Sequence, residues 1–116
     1  MFFKIEENKQ VKNHVYSFGG RADYLIKDEE FVGACYKQDK DCFEIFYIEI
    51  KEEFRHKGYG TVFVKIYEAM AKLRQYNKIK AKCELSNEGG INFWENHVGW
   101  TREECVKGQL VFYKTL

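Results

Sequence analysis

The stretch FRHKGYGTVFV, residues Phe54 to Val64, contains residue types from which proteins build anion sites. Gly58 and Gly60 lack a Cβ, so the backbone can adopt positive φ there and a ligand can approach the main chain closely. Successive N–H groups of such a turn, together with the unpaired N–H groups of a following helix, form an anion-binding hollow. Two glycines ahead of a helix therefore predict a phosphate or pyrophosphate site.

Positive charge and a hydroxyl accompany the two glycines. Arg55, His56 and Lys57 precede them, and Thr61 either caps the helix or donates its hydroxyl to the anion. The stretch lacks the GxxxxGK and following Ser or Thr of a P-loop. It also lacks the third glycine of GxGxxG, because position 63 is phenylalanine. A glycine-bearing connection without any ligand stays open as the alternative.

The elements before this stretch are predicted to be strands. Phe2 to Glu6 predicts an opening strand, and Asn8 to Gly20 predicts a loop or a short helix because it shows little periodicity. Three β-prone runs separated by polar turns predict an antiparallel meander: Ala22 to Asp28, Phe31 to Gln38 and Cys42 to Ile50.

The elements after the stretch begin with a helical period. The helix is predicted from Thr61 to about Tyr76, with an apolar face of Phe63, Ile66, Tyr67, Met70 and Leu73. It is followed by an alternating strand from Ile79 to Ser86, a short helix closed by Gly99, and a hairpin of Trp100 to Val106 and Leu110 to Leu116. This order predicts an α+β fold with a mixed sheet, in which the crossover helix makes the fifth strand parallel to the fourth.

Composition limits the function classes. At 116 residues, 45% of them apolar, the chain is expected to be one domain, residues 1–116, with a packed core. The formal net charge of +1 argues against a nucleic-acid binder that uses Lys78, Lys80 and Lys82. No export signal, membrane span or metal-ligand spacing is found, so a metal-free cytoplasmic protein is expected. The four cysteines are interpreted as reduced core thiols: Cys35, Cys42, Cys83 and Cys105.

Two motifs together resemble the GNAT superfamily of N-acetyltransferases. Arg55-x-x-Gly58-x-Gly60, after a strand and opening a helix, looks like the acyl-CoA pyrophosphate loop of that family. The segment NEGGINFWENHVGW, from Asn87 to Trp100, is similar to the family's Asn-x-x-Ala-x-x-Phe-Tyr-Glu segment that closes in Gly-Phe. The resemblance covers residues 22–116 and implies a GNAT-like central sheet of six to seven strands.

The resemblance implies where acetyl-CoA binds. In such proteins the fourth and fifth strands splay apart and hold the cofactor between them, with the pantetheine arm bonded to the backbone of the fourth strand. The cofactor-binding residues expected on this basis are Ile48, Ile50, Arg55, His56, Lys57, Gly58, Tyr59, Gly60, Thr61, Asn87 and Phe93.

The resemblance also implies direct acetyl transfer to an amine. The N–H of Ile48 is expected to polarise the thioester carbonyl, and a carboxylate must take the proton of the amine. Glu44 is the preferred base and Glu49 the second candidate, although five residues apart they lie on opposite faces of a regular strand unless a bulge intervenes. The polar half of an alternating strand is the structural alternative for both. Trp94 stands where many members carry a tyrosine acid, and a core role is favoured for it. The proton for the leaving thiolate then comes from water or from another group, for which the candidates are Tyr47, Tyr67, Tyr113 and His97.

The acceptor and the activity itself are left open. The family usually has two helices between its first and second strands, whereas here only Glu7 to Gly20 is available. An open acceptor side, suited to a protein or peptide amine, is expected, and an oligomer is compatible with the sequence. A non-catalytic acyl-CoA-binding or interaction module is the alternative to an N-acetyltransferase.

Overall fold

The structure is a computed structural model that describes residues 4–12, 19–27, 31–37, 42–50 and 52–116. Four strands precede the glycine stretch: β1 (Lys4–Lys12), β2 (Gly19–Lys27), β3 (Phe31–Lys37) and β4 (Cys42–Ile50). After a 3₁₀ turn, Glu52–Phe54, follow helix α1 (Tyr59–Leu73), strand β5 (Lys78–Glu84) and helix α2 (Glu88–Asn92). Helix α2 continues as a π-helix, Phe93–Val98, and the chain ends in strands β6 (Thr101–Val106) and β7 (Gln109–Thr115).

Within the described ranges the strands form one sheet in the order β1-β2-β3-β4-β5-β7-β6. The first four strands are an antiparallel meander, and β4 pairs with β5 in parallel through the crossover helix α1. The remaining pairs, β5 with β7 and β6 with β7, are antiparallel. The mixed α+β fold with a mixed sheet is therefore confirmed, including the parallel neighbour reached through the long helix.

The prediction of a loop or short helix from Asn8 to Gly20 is wrong for residues 8–12 and 19–20, which belong to strands. Strand β1 continues to Lys12 and β2 already begins at Gly19, with Val11 opposite Gly20 in the ladder. The segment is polar, so it lacks the alternation that marks a strand, yet β1 is an edge strand that backbone hydrogen bonds hold to β2 alone. Positions 13–18 lie outside the described residues.

Helix α1 begins earlier and ends earlier than predicted. Gly58, at φ 83°, is its N-cap, so the helix starts at Tyr59 and Thr61 is already inside the first turn instead of capping it. At the other end Gln75 adopts φ 64°, and the N–H groups of Gln75 and Tyr76 donate to the carbonyls of Lys72 and Ala71, each at 3.0 Å. This is a Schellman termination, in which a left-handed residue satisfies the last helical carbonyls.

The core lies on one face of the sheet, beneath both helices. Strands β4, β5 and β7 contribute Phe43, Ile45, Ile79, Ala81, Cys83, Leu110 and Phe112. The helical side contributes Phe63, Val64, Tyr67, Met70, Ala71 and Trp94, joined by Trp100 after the π-helix. Leu73, predicted on the apolar helix face, is 80% exposed because the helix ends there.

The cysteine prediction holds for two residues and fails for one. Cys42 and Cys83 are buried and are not in a disulfide, as expected. Cys105 is not in a disulfide either, but it is exposed on β6, the edge strand of the sheet. The side chain of Cys35 lies outside the described set.

Candidate functional site

The two parallel strands at the centre of the sheet separate partway along their length. Their pairing runs from Cys42 opposite Lys78 to Ile45 opposite Ala81 and ends there. Strand β4 continues to Ile50 along β3, and β5 continues to Glu84 along β7. The inner edges of these two continuations form a fork whose backbone groups no longer pair across the sheet, which makes them available to a ligand between the strands.

A bulge in β4 lies at the start of the fork. Ala34 is opposite Tyr47 while Cys35 is opposite Ile45, so Phe46 is an extra residue on β4. Glu44 and Glu49 are opposite Tyr36 and Val32, which are four residues apart on β3. The bulge therefore brings the two glutamate positions into the same phase of the pleat, where a regular strand has them in opposite phases.

The glycine stretch forms a left-handed loop at the open end of the fork. His56 and Gly58 have φ of 63° and 83°, and the helix begins at the next residue. Because Gly58 has no side chain, the first turn of the helix has no side-chain cap. The first N–H groups of an α-helix have no partner within it, and two left-handed residues beside them turn further N–H groups toward one concavity. The geometry is that of an anion site.

Arg55 is attached to the fork by its own side chain. Its Nε donates to the carbonyl oxygen of Ile50 at 2.9 Å, while the residue as a whole remains exposed. The guanidinium is thereby held beside the end of β4, and its Nη atoms make no hydrogen bond or ion pair with the described residues. Since Ile50 already accepts this bond, one of the two lone pairs of its carbonyl is committed.

The other cation of the loop lies over an aromatic ring. Lys57 Nζ is 5.8 Å from the centroid of Phe54, and the ring of Tyr59 contacts Phe54 edge-on at 6.1 Å. Together with Arg55, Lys57 adds positive charge to the exposed rim of the loop. The rim suits a diphosphate better than a neutral ligand.

Gly60 is the point where loop, strand and second helix meet. A Cβ at this position would lie 2.8 Å from Cε1 of Phe93 and 3.3 Å from Cδ1 of Ile50. Gly60 is buried, and Ile50 and Phe93 pack partly buried against the core. The structure thus brings three of the predicted cofactor-binding residues into one contact, and it explains why the second glycine is needed for space and the first for φ.

Asn87 acts as the N-cap of α2. Its Oδ1 accepts from the N–H of Gly90 at 2.9 Å. A Cβ on Gly90 would lie 2.6 Å from Asn87 Nδ2 and 2.7 Å from Cys83 Sγ, so the alanine found here in the family pattern does not fit without a shift. Asn87 is an exposed residue at the β5 side of the fork.

Trp94 is a core residue, as the sequence favoured. It is 7% exposed, and its ring lies 4.8 Å from that of Trp100 and 5.1 Å from that of Phe93. Trp100 Nε1 in turn donates to Glu68 of α1 at 2.8 Å. These contacts fix the π-helix against α1 and hold Phe93 at the loop.

Glu44 is buried, with its carboxylate close to one cation. It is 2% exposed, and its Oε1 lies 3.8 Å from Nζ of Lys82 on β5. That distance is an ion pair without a hydrogen bond, and Oε1 has no hydrogen-bond partner among the described residues. Phe43 and Ile45 occupy the core face, so Glu44 lies on the opposite face of the sheet, which no described helix covers.

Cys83 is the nucleophilic residue type nearest to the β5 side of the fork. Burial, and secondarily the charge of Glu84, raises the pKa of the Cys83 thiol. The raised pKa keeps the thiol neutral around pH 7, and the thiol is a much weaker nucleophile than the thiolate. Cys83 is therefore poorly suited to carry an acyl group.

Two further features belong to the described part of the chain. The described residues contain no cluster of three or more His, Cys, Asp or Glu side chains arranged to hold a metal ion. None of the described helices is both long and apolar enough to cross a membrane.

Comparison with known proteins assigns the class. The sequence model of the Acetyltransferase (GNAT) family matches residues 3–100. The chain therefore belongs to the GNAT family of acetyltransferases. A search of curated protein sequences gives no match.

Solved structures share the fold. A GNAT family acetyltransferase from Elizabethkingia anophelis with acetyl-CoA bound superposes with a TM-score of 0.68 at 19% identity, over 80% of this chain and 74% of that one. A Bacillus subtilis acetyltransferase in complex with CoA gives 0.68 at 17%, over 80% and 75%. The PaiA N-acetyltransferase from Thermoplasma acidophilum, in complex with coenzyme A, gives 0.70 at 14%, over 80% and 59%.

One feature of the site was missed in the sequence, and a second was raised only as an option. Lys82 was considered only as one of three lysines of a nucleic-acid surface, and its contact with Glu44 depends on the parallel register, which the sequence does not specify. The bulge at Phe46 has no signal in FEIFYIEI, because apolar residues stand on both sides of it. The left-handed loop, in contrast, has its signal in Gly58.

Proposed function

We propose that the protein is an acetyl-CoA-dependent N-acetyltransferase that moves the acetyl group directly to a primary amine. The observation that carries the proposal is the fork, in which β4 and β5 stop pairing after Ile45 and Ala81. The glycine loop and the N-terminus of α1 lie where the chain leaves β4. A long ligand with a diphosphate at one end and a thioester at the other matches this arrangement of a slot and an anion site. The family membership supports the same class of reaction.

The loop is proposed to hold the diphosphate. Backbone N–H groups from His56 to Thr61 would bind its oxygens, the hydroxyl of Thr61 would donate to it, and Arg55 and Lys57 would add charge at the rim. Along the slot, the backbone of Ile48 and Ile50 would bind the pantetheine arm on one side. Asn87 Nδ2 would reach it from the other, and the Phe93 ring would pack against it.

Acetyl transfer needs one group that polarises the thioester carbonyl and one base that takes the proton of the amine. The N–H of Ile48 is proposed to donate to the thioester oxygen, where negative charge develops as the amine attacks. Glu44 is proposed to take the proton of the amine, and Glu49, brought into phase by the bulge, is the second carboxylate position at the fork. The C–N bond forms, the C–S bond breaks, and the thiolate leaves with the electron pair. Positioning of the two reactants supplies most of the rate enhancement.

Protonation of the leaving thiolate is not assigned to Trp94. An indole N–H does not supply a proton at neutral pH, and the ring is packed between Phe93 and Trp100. Water is the proposed source, because a thiolate leaves without prior protonation more readily than an alkoxide does. The presence of Trp94 where many family members carry a tyrosine also favours the second candidate, a GNAT-fold module that binds acyl-CoA without turnover.

The acceptor is proposed to approach from the sheet face that carries Glu44. No described helix covers that face, but Glu44 is 2% exposed, so the side chains that bury it must move before the amine of a protein, a peptide or a small molecule reaches its carboxylate. The partners proposed are acetyl-CoA and this amine, without a metal, nucleic acid or membrane.

The test is turnover of acetyl-CoA with a panel of peptides, polyamines and small amines, with products identified by mass. An increase of 42 mass units on one amine class, the size of an acetyl group replacing a hydrogen, is expected. Binding of acetyl-CoA without any product would favour the non-catalytic module, and the absence of both would reject the proposed function.

A further inference from the structure

The contact between Glu44 and Lys82 is the feature of the site that the family resemblance does not account for. Glu44 is 2% exposed, whereas the Lys82 side chain is 43% exposed, and their charged atoms are 3.8 Å apart. Burial disfavours the charged form of a carboxylate, and a cation at this distance favours it.

The other polar residues around Glu44 lie on the neighbouring strands and on β4 itself. Lys80 is its register partner on β5, and Tyr113 of β7 follows in the same row of the sheet. On β3 the register partner is Tyr36, and on β4 itself the nearest carboxylate position in phase is Glu49. Of the cations the structure describes, Lys82 is the one within ion-pair distance of the Glu44 carboxylate.

Lys78 and Lys82 provide an internal comparison. Each is two residues from Lys80 along β5, so they flank the register partner of Glu44 symmetrically on the same face. Lys78 is already committed: its Nζ donates to Glu103 at 2.7 Å and lies 4.2 Å from the ring centroid of Tyr113. The hydrogen bond to Glu103 raises the pKa of Lys78. Lys82, beyond the last paired residue, is directed to Glu44.

We propose that Lys82 is a positioning residue whose ammonium group keeps the buried Glu44 carboxylate charged and thereby sets the lower pH limit of acetyl transfer. This inference rests on the proposed function, in which Glu44 is the base. Because the ion pair is longer than a hydrogen bond, Lys82 supplies charge without occupying the Oε1 lone pairs that an incoming proton needs.

The first measurement is the dependence of kcat/KM on pH, which reports the ionisation of the base in the free enzyme. In Lys82→Met the buried carboxylate loses its cation and protonates more readily, so the acid limb should move to higher pH by roughly one unit. At pH values below the limb, that shift lowers kcat/KM about tenfold. Lys82→Arg keeps the charge and should restore the wild-type limb.

The matched control is Lys78→Met, which removes a positive charge from the same strand and the same face. The acid limb of the kcat/KM pH profile of Lys78→Met should coincide with that of the wild type, since the ammonium group of Lys78 is bonded to Glu103. A shift in Lys78→Met as large as in Lys82→Met would overturn the proposal, because general loss of positive charge would then explain it.

The second measurement does not need catalysis. The side-chain carboxyl carbon of Glu44 is titrated by ¹³C NMR in the wild type and in the three variants, each checked for a native melting curve. A midpoint that rises in Lys82→Met alone supports the proposal, and an unchanged midpoint overturns it. A midpoint that rises while the limb of kcat/KM stays fixed also overturns it. If the wild type transfers no acetyl group, the proposed function fails, while the titration still decides whether Lys82 controls the charge of Glu44.

Discussion

At the scale of single residues, two positions of the site lack a group that most residues have. Glu44 Oε1 lacks a hydrogen-bond donor among the described residues, and Gly60 lacks a side chain. Glu44 is buried with a cation at 3.8 Å but without a hydrogen bond to Oε1 among the described residues. Gly60 has no side chain, and the Phe93 ring occupies the space that a Cβ at this position would need. Both residues were predicted as site residues from sequence, but the reason for each was visible only in the register and packing.

Replacement of the proposed base should act on rate and leave binding intact. Glu44→Gln keeps the shape of the side chain and removes its basicity, so kcat should fall by about 10²–10⁴. The dissociation constant for acetyl-CoA, measured by calorimetry, should stay within twofold. Glu49→Gln is the comparison, and the account expects the smaller loss there. A loss under threefold in Glu44→Gln would remove it from the mechanism.

A methyl group at Gly60 should disturb the loop through Phe93. In Gly60→Ala the new Cβ is 2.8 Å from the Phe93 ring and 3.3 Å from Ile50, so one of them must move. Overpacking of this kind costs about 1–3 kcal/mol in the free energy of unfolding, and the displaced ring should weaken acetyl-CoA binding. Chemical denaturation and calorimetry measure the two effects.

The control for that substitution is Gly89→Ala, four residues before Phe93. A Cβ there meets its nearest atom at 3.8 Å, an ordinary contact. Stability and acetyl-CoA affinity should both stay close to the wild type. Equal behaviour of the two variants would contradict the role given to the Gly60 contact.

At the scale of elements, the decisive junction is the turn from β4 into α1. The loop predicted from Arg55 to Thr61 is present, because Gly58 permits the positive φ that ends the loop and starts the helix. The helix limits were off by two residues at one end and three at the other. The termination at Gln75 uses a non-glycine residue in a left-handed conformation, which leaves no signal in the sequence. Strand β1 was partly missed for the related reason that an edge strand needs no apolar alternation.

Gly58 and Gly108 have similar backbone φ, so substitution of each by alanine distinguishes an effect on protein stability from an effect on acetyl-CoA binding. Gly58 and Gly108 have φ of 83° and 78°, and a Cβ at either would meet nothing within 4 Å. Alanine in this conformation costs about 1–2 kcal/mol, so Gly58→Ala and Gly108→Ala should lose similar stability in urea denaturation. Only Gly58→Ala should weaken acetyl-CoA binding, since Gly108 lies in the β6–β7 turn. Equal affinities in the two variants would place the diphosphate elsewhere.

At the scale of the whole molecule, the described helices lie on one face of the sheet, and the other face, on which Glu44 is buried, has no described helix. Both helices pack on the face that contains Phe43, Ile79 and Phe112, and the fork lies at the centre of the sheet. The order of elements, and with it the parallel β4–β5 pair, could be predicted from hydrophobic period alone. The point at which the pair separates could not, because it depends on the bulge in β4 and on which residues remain opposite each other.

Acetyl-CoA should stabilise the whole domain. A ligand at about a hundred times its dissociation constant contributes roughly 2.7 kcal/mol to the free energy of unfolding when it binds only the folded state. For a domain of 116 residues this corresponds to an increase in Tm on the order of 10 °C. Differential scanning fluorimetry with acetyl-CoA measures the shift, and Gly108→Ala should show the full increase. No increase at millimolar acetyl-CoA would contradict both the enzyme and the binding module.

The central claim is that the fork between β4 and β5 is an acyl-CoA slot with its anion site at the start of α1. A crystal structure with coenzyme A tests it most directly. The account predicts diphosphate oxygens on the backbone N–H groups between His56 and Thr61, and the pantetheine arm along Ile48 and Ile50. A structure in which β4 and β5 pair along their full length, or in which coenzyme A binds outside the fork, would contradict it.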